Sequence, residues 1–324
     1  MRYIVTGCDG KLGGRVAEIM LSKVNPTELT FTCPYIERLE PEKKRKWELS
    51  GVKVEQANYD SIEEMTKAFE GGDRIFIVSG LTIGETRVRQ HSNVVEAAIQ
   101  AGVNHITYTS FLGASDPAYE HVYVTPDHTA TEAYIQKRHE ETGVDYSFMQ
   151  DNLYLENYLT TSVMLALMSG NKWYTTAGEG KATYIPKDDV ARVAAALLLG
   201  KGENGKTYKI CGSESISQRD IVDIINELSG KNIEYCPVSH QEFFEYLDSM
   251  HIPREATGDY SRSPVPWCGN DMVTNEGSIA EGLMNVSSND VELVTGKKPL
   301  TAKELAKNYS YIWEKNITNW KDVQ

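Results

Sequence analysis

No pair of cysteines in this chain of 324 residues is spaced for a metal or a redox motif. Cys8, Cys33, Cys211, Cys236 and Cys268 form no C-x-x-C pair and have no histidine nearby at ligand spacing. That excludes a zinc site and a disulfide frame and leaves the reduced thiols of a cytoplasmic protein. Positive charge is also scarce. Lys and Arg number 33 against 46 Asp and Glu, and the net charge of -13 excludes a sequence-independent grip on nucleic acid or on an anionic membrane, both of which need a basic surface. No apolar run approaches the roughly 18 to 20 residues of a membrane span, and no basic, apolar leader precedes the first strand at residue 3. Internal repeats and low-complexity tracts are missing too. The expectation is a soluble globular protein large enough for a sizeable core.

What is present is concentrated at the start. Tyr3-Ile4-Val5-Thr6-Gly7-Cys8-Asp9-Gly10-Lys11-Leu12-Gly13-Gly14 is a short strand-like run ending in glycines, followed by the helical pattern Val16, Ala17, Ile19, Met20, Leu21. Strand, glycine turn and helix in that order hold a dinucleotide pyrophosphate on the helix N-terminus. The spacing is G-x-x-G-x-x-G. Gly7 turns the chain, Gly10 lets backbone approach phosphate, and Gly13 lets the helix lie close to the sheet.

Strand and helix patterns then alternate to about residue 150. Strands are expected at 29–33, 52–56, 74–80, 105–110 and 146–149, and helices at 61–69, 87–101 and 129–141, with a basic helix-compatible segment at 37–49. This alternation predicts an α/β fold, a Rossmann-type doubly wound parallel sheet. Its ligand lies outside the carboxyl ends of the strands, so the polar strand ends Gly7, Ser79-Gly80, Thr109-Ser110 and Gln150-Asp151-Asn152 share one crevice. Further on, the pattern gives a helix at 155–168, an extended stretch around 177–180, a helix at 188–199, a strand at 207–211 that rejoins the sheet, and a helix at 218–229 capped by Ser217. Residues 251–278 read as a long ordered loop over the crevice. The domain reading is a dinucleotide-binding core over 1–155 completed by segments in 185–212, with 156–184 and 213–324 forming a smaller α/β substrate lobe.

A family resemblance is carried by the glycine loop together with Gln90-His91-Ser92-Asn93-Val94-Val95-Glu96-Ala97-Ala98, Tyr108-Thr109-Ser110-Phe111-Leu112-Gly113-Ala114, His128-Thr129-Ala130-Thr131-Glu132 and Glu156-Asn157-Tyr158. With these motifs the chain resembles the atypical short-chain dehydrogenases of the NmrA-like group, and within it the NAD(P)H:quinone oxidoreductase type 2 and triphenylmethane reductase branch, over about residues 3 to 245. The resemblance implies an NADPH-binding Rossmann domain, a small C-terminal substrate lobe and reduction of quinones, dyes or related conjugated acceptors. It equally implies the alternative of a non-catalytic dinucleotide or redox sensor. Three departures stand out. Pro34 replaces a strand-end arginine that meets the 2′-phosphate, Gln150-Asp151 replaces an Arg-Asn or Arg-Pro pair, and 258–277 reads as an insertion.

Short-chain dehydrogenases use Tyr-x-x-x-Lys to protonate a carbonyl oxygen. Aligned through Glu132, the lysine position holds His128 and the tyrosine position Val124, with Tyr123 one residue off register. Without that pair, hydride transfer to a conjugated quinone, enone or dye fits better than reduction of a simple carbonyl. His128 and Ser110 are the candidate catalytic residues. His128 is also read as a loop histidine held for structure, and Ser110 as a cap of its own turn. Phe111, Asn152, Tyr154 and Tyr158 are the candidate acceptor pocket, with Tyr154 and Tyr158 one helical turn apart. The cofactor set is Thr6, Gly7, Asp9, Gly10, Lys11, Leu12, Gly13, Arg38, Ser79, Gly80, Thr109, Ser110 and His128. Cys33-Pro34-Tyr35 offers no carboxylate for a 2′-hydroxyl, so NADPH is expected, through Arg38 or Lys11, with NADH as the alternative. Lys43 to Lys46 read as a solvated helix face.

Overall fold

The structure, a computed structural model, describes residues 1–256 and 258–323. Its first half alternates as β1 (Tyr3–Val5), α1 (Lys11–Leu21), β2 (Leu29–Cys33), α2 (Pro41–Ser50), β3 (Lys53–Gln56), α3 (Ile62–Phe69), β4 (Arg74–Ile77), α4 (Glu85–Gln100), β5 (His105–Phe111), α5 (Thr125–Thr142) and β6 (Asp145–Asp151). Then come α6 (Leu155–Asn157), a π-helical turn at Tyr158–Ser162, α7 (Val163–Met168), β7 (Lys172–Thr175), β8 (Lys181–Ala182), α8 (Lys187–Leu198) and β9 (Lys206–Ile210). The remainder holds β10 (Ile216–Ser217), α9 (Gln218–Ser229), β11 (Glu234–Pro237), α10 (His240–Ser249), α11 (Gly269–Ala280) and α12 (Asp290–Thr295), before short helical turns near the end.

Seven strands form one parallel sheet in the order β3-β2-β1-β4-β5-β6-β9. This is the Rossmann-type α/β fold that the alternation predicts, and β9 rejoins the sheet beside β6 as expected. Chain order reverses between β1 and β4, which places the ligand crevice at their carboxyl ends. The central strands are buried on both faces; β1 is an unbroken apolar run, while β2 interleaves Thr30 and Thr32 with Leu29, Phe31 and Cys33. One core lies where α1 and α8 meet the sheet, around Val5, Val16, Phe31, Trp47, Val190 and Ile210. The other face packs α3, α4 and α5 over Ile4, Phe69, Ile75, Val95, Ile106 and Phe148. A third cluster joins 153–184 to the C-terminal part through Leu159, Trp173, Ile225, Phe243, Ile279 and Trp313.

Four expectations are corrected. Helix α5 begins at Thr125, four residues earlier than expected, because Pro126 sits in its first turn, where a missing N–H costs nothing. His128 is therefore a helical residue and not a loop histidine. The 177–180 stretch is a turn, with Gly178 at φ 55 and Gly180 N–H bonded to the Ala177 carbonyl; the strand lies earlier, at β7. The 155–168 helix is interrupted by the π turn, and Tyr154 precedes it in extended conformation, so Tyr154 and Tyr158 do not share a helix face. Finally, the segment read as a loop to residue 278 turns helical at Gly269. Gly, Asn, Ser and Thr hide α11 from propensity, but its Val273, Gly277 and Ile279 are buried and α11 packs on α10. The loop ends at Cys268, and Thr257 within it lies outside the described residues.

Candidate functional site

The glycine loop is built as a close approach of helix to strand. Gly7 turns at φ +61, a left-handed conformation that favours glycine. Gly10 N–H closes back on the Gly7 carbonyl at 2.9 Å and starts α1. A Cβ on Gly13 would overlap that same carbonyl oxygen, whereas one on Gly10 would stand 3.3 Å from it. The cradle thus has the shape that a pyrophosphate on a helix N-terminus requires. A cleft of about 630 Å³ opens beside it, lined by Asp9, Gly10, Lys11, Gly14, Arg15 and Lys43 among others.

Lys11, Arg15, Lys43 and Arg192 line this cleft together with Glu18 and Asp188, and Arg38 lies outside the lining but close enough to act on Asp9. Arg38 stacks on Tyr35, its guanidinium 4.2 Å from the ring centroid, and Lys43 sits over Trp47 at 4.8 Å. The Lys43 ammonium also lies against Gly14, 2.9 Å from where a Cβ would be. Both charges act on Asp9, whose carboxyl is pushed up by burial and pulled back by Lys43 and Arg38. Lys43 is therefore part of the cleft and not of a solvated face. Its place one turn before buried Trp47 was the available signal. Lys11 turns the other way. Its ammonium reaches the Val323 carbonyl at 3.3 Å, and burial lowers its pKa.

Several polar groups expected to meet a ligand are spent inside the protein. Thr6 Oγ1 accepts from Val78 N–H at 3.0 Å and donates to Tyr59 Oη, whose own proton goes to the Val78 carbonyl. Thr109 Oγ1 accepts from Ser79 N–H at 2.8 Å and donates to the Ile77 carbonyl. Gly80 N–H donates to His91 Nε2 at 2.9 Å. These residues shape the floor of the crevice. Leu12 is buried in the core beneath the loop. Ser110 donates to Glu132, which also accepts from Ser115 and Gln150; burial pushes the Glu132 carboxyl up, and these three donors hold it back. Asn152 is a correction. Its side-chain amide donates to Thr183 and to the Met284 carbonyl and its oxygen accepts from Leu153 N–H, so it is buried and saturated, with nothing left to face a substrate.

At the ends of β5 and α5 the chemistry-bearing residues converge. His128 stacks on Phe111, ring centroids 6.1 Å apart, and its Nδ1 lies 2.8 Å from Tyr108 Oη. Burial, then Arg87 and His91, hold His128 well below the usual histidine range, so it is neutral. Arg87 is itself anchored by the Thr82 carbonyl and pairs with Asp127 at 3.7 Å, while Asp127 caps the start of α4 through Gly84 N–H. Val124 is buried, and the Tyr123 hydroxyl is committed to Glu255. No tyrosine replaces the missing proton donor from either position.

A second, small cavity of about 60 Å³ is lined by Leu153, Asn157, Tyr158, Thr161, Trp267 and Asp271 among others. Tyr158 packs edge-on to Tyr184, and Trp267 Nε1 donates to Thr161 Oγ1 at 3.1 Å. Burial pushes Asp271 up to about 6 and its neighbour Glu276 to about 7. Tyr154 stands outside this cavity, donating to Asp151 at 2.8 Å under the Lys187 ammonium. Burial lowers Lys187 to about 8; it donates to Asn157 Oδ1 at 3.0 Å, and its backbone N–H bonds Glu156. Sequence reasoning reads Lys43 as solvated and gives Glu132, Lys187 and Asp271 no role in the site, because these three acquire their meaning only from residues distant in sequence.

Sheet order, glycine cradle and crevice define a dinucleotide-binding α/β protein of the short-chain dehydrogenase kind. The family model for the NmrA-like family matches residues 2–265, and the chain belongs to that family. Quinone oxidoreductase 2 of Escherichia coli (strain K12) is 29% identical over 249 residues, which cover 77% of this chain and 82% of that protein. The crystal structure of the Escherichia coli NADPH-dependent quinone oxidoreductase complexed with NADPH superposes with a TM-score of 0.80 at 26% identity, covering 95% of this chain and 99% of the other. A Citrobacter sp. triphenylmethane reductase gives 0.81 at 26%, covering 96% and 99%. No described helix is long and apolar enough to cross a membrane.

Proposed function

We propose that the protein is an NAD(P)H-dependent reductase, with NADPH as its cofactor, that transfers hydride to a conjugated small-molecule acceptor such as a quinone, an enone or an aromatic dye. The reading is carried by one coincidence. A dinucleotide crevice that lacks the tyrosine-lysine pair belongs to a chain that resembles, over at least 95% of its length, an NADPH-complexed quinone oxidoreductase and a triphenylmethane dye reductase. Conjugated acceptors delocalise the incoming electron pair and tolerate weak protonation, which is the chemistry such a site suits.

In this reading Gly7, Asp9, Gly10, Lys11 and Gly13 hold the pyrophosphate, and Arg38 with Lys43 meets the 2′-phosphate. Ser79, Gly80, Thr109, Ser110 and His128 border the nicotinamide, which supplies hydride when bound. Phe111 and Tyr158 face the acceptor. The domain division follows the same logic: 1–155 with 185–212 binds the dinucleotide, while 156–184 and 213–324 form the acceptor lobe.

The test is turnover of purified protein with NADPH and with NADH against benzoquinones, enones and triarylmethane dyes, read as loss of cofactor or dye absorbance. Oxidation of NADPH by at least one of these acceptors is the expected result. Tight cofactor binding with none of them reduced overturns the reading in favour of a dinucleotide sensor.

A further inference from the structure

A one-way chain of hydrogen bonds runs through the buried groups behind His128, and its polarity is set by a backbone amide. A peptide N–H only donates, so Gly80 N–H makes His91 Nε2 an acceptor. His91 is fully buried, and desolvation first and Arg87 second hold it neutral, pushed down to about 3. Its single proton therefore sits on Nδ1. That nitrogen lies 2.9 Å from Thr131 Oγ1 and 3.3 Å from Tyr108 Oη. The Thr131 proton is committed to the Asp127 carbonyl at 2.8 Å, so Thr131 accepts from His91. The Tyr108 hydroxyl meets a proton-bearing nitrogen on the His91 side and Thr131, already engaged by His91, beside it; its shortest contact is His128 Nδ1 at 2.8 Å, and its proton goes there.

His128 Nδ1 is thus an acceptor, and the neutral ring carries its proton on Nε2. The opposite tautomer would turn the buried Tyr108 proton away from its 2.8 Å contact and onto Thr131 Oγ1, which already accepts from His91. Nε2 makes no hydrogen bond to any described residue, yet it is not among the sealed, unpartnered atoms. It is the open end of the chain, on a ring stacked against Phe111 at the mouth of the sheet.

We propose that His91 and Tyr108 are positioning residues that lock His128 as a neutral Nε2–H donor to the acceptor's oxygen, so that the site favours carbonyl acceptors, quinones and enones, over oxygen-free cationic dyes. The proposal rests on the reductase reading above. A quinone takes the hydride on one carbonyl oxygen, forming an O–H bond there, and the electron pair displaced through the conjugated C=O bonds collects on the other oxygen; an enone takes it on the β-carbon with the same outcome at its carbonyl oxygen. A hydrogen bond from Nε2–H stabilises that oxygen while it charges, and a water molecule then gives it a proton, completing the hydroquinone or the enol form of the reduced enone and leaving hydroxide. His128 keeps its own proton throughout. Hydride addition to a triarylmethane cation ends at a neutral carbon, develops no oxyanion and gains nothing from His128.

Two measurements test this. The first is nitrogen-15 NMR of the histidine rings in the protein without cofactor, with His128 assigned by its loss in His128→Ala. Protonation on Nε2 is expected in the native protein, with a shift towards Nδ1 in Tyr108→Phe; an Nδ1–H ring in the native protein overturns the lock. The second compares acceptors at saturating NADPH. Tyr108→Phe is expected to lower kcat for a benzoquinone about tenfold, as for one weakened hydrogen bond, while leaving KM for NADPH and the rate with crystal violet unchanged. In the His128→Ala background the same change is expected to add nothing. Equal losses with both acceptors, or additive losses in the double variant, overturn the proposal. If neither acceptor is reduced at all, the reductase reading fails, while the NMR result still decides whether the lock exists.

Discussion

Ser110 Oγ donates its proton to Glu132 Oε1 at 2.5 Å, and the pair is buried at the carboxyl edge of the sheet. A hydroxyl committed in this way offers a ligand only an acceptor. Ser110→Ala leaves a buried carboxyl one donor short and is expected to cost about 1–3 kcal/mol of stability, measured by urea denaturation. Unchanged stability with lost turnover would instead make Ser110 a ligand contact.

The glycine loop separates two roles. Gly13→Ala drives a Cβ into the Gly7 carbonyl and is expected to destabilise the fold by about 1–3 kcal/mol. Gly10→Ala meets that carbonyl at 3.3 Å and should leave the melting temperature nearly unchanged while weakening NADPH. Calorimetric melting and a fluorescence titration of NADPH on both variants check the contrast.

Under the proposed function, cofactor choice falls to the cations beside Asp9. Arg38→Ala and Lys43→Ala are each expected to weaken NADPH about ten- to a hundredfold, the worth of one charge-assisted contact, and to leave NADH nearly unaffected. Lys11, held by the Val323 carbonyl, should affect both cofactors alike. An NADPH to NADH affinity ratio that survives both Arg38→Ala and Lys43→Ala would place the 2′-phosphate elsewhere.

His105 gives a pH signature remote from the crevice. Burial, then Arg74, lowers it from 6.5 to about 4. Between those values the unfolded chain takes up a proton that the folded one refuses, so stability is lost as pH falls through this window. Removing the group in His105→Gln should flatten the decline by about 1.4 kcal/mol per pH unit relative to the native protein. Parallel stability curves for the two proteins from pH 6 to pH 4.5 would contradict the shift.

Local pattern made the fold legible because strand, glycine turn and helix are encoded within a dozen residues, and α1 through β6 repeat that grammar. Ser61 and Ser217 cap their helices as their sequences suggest. Helix α11 was hidden because its stability comes from packing on α10 and not from propensity. In the site, Gly7, Gly10 and Gly13 were legible from spacing alone. The direction of the Ser110 proton and the tautomer of His128 were not, since each depends on a partner 20 or more residues away. Asn152 misled for the opposite reason. Its position at a strand end suggests a ligand contact, and only tertiary structure reveals that Thr183 and Met284 consume it.

That Asn152 stitch also bears on the order in which the molecule forms. Its amide reaches a carbonyl 132 residues further along the chain, and β9 must return beside β6 after the intervening segment has folded back. Long-range parallel pairing of this kind pays its loop-closure entropy before the contacts that reward it. During synthesis the sheet edge stays unfinished until β9 has left the ribosome, and the Asn152 stitch closes only after Met284 follows. Nascent chains halted between β6 and β9 should therefore expose the edge of β6 and depend on chaperones, while the β1 to β5 half is already able to collapse.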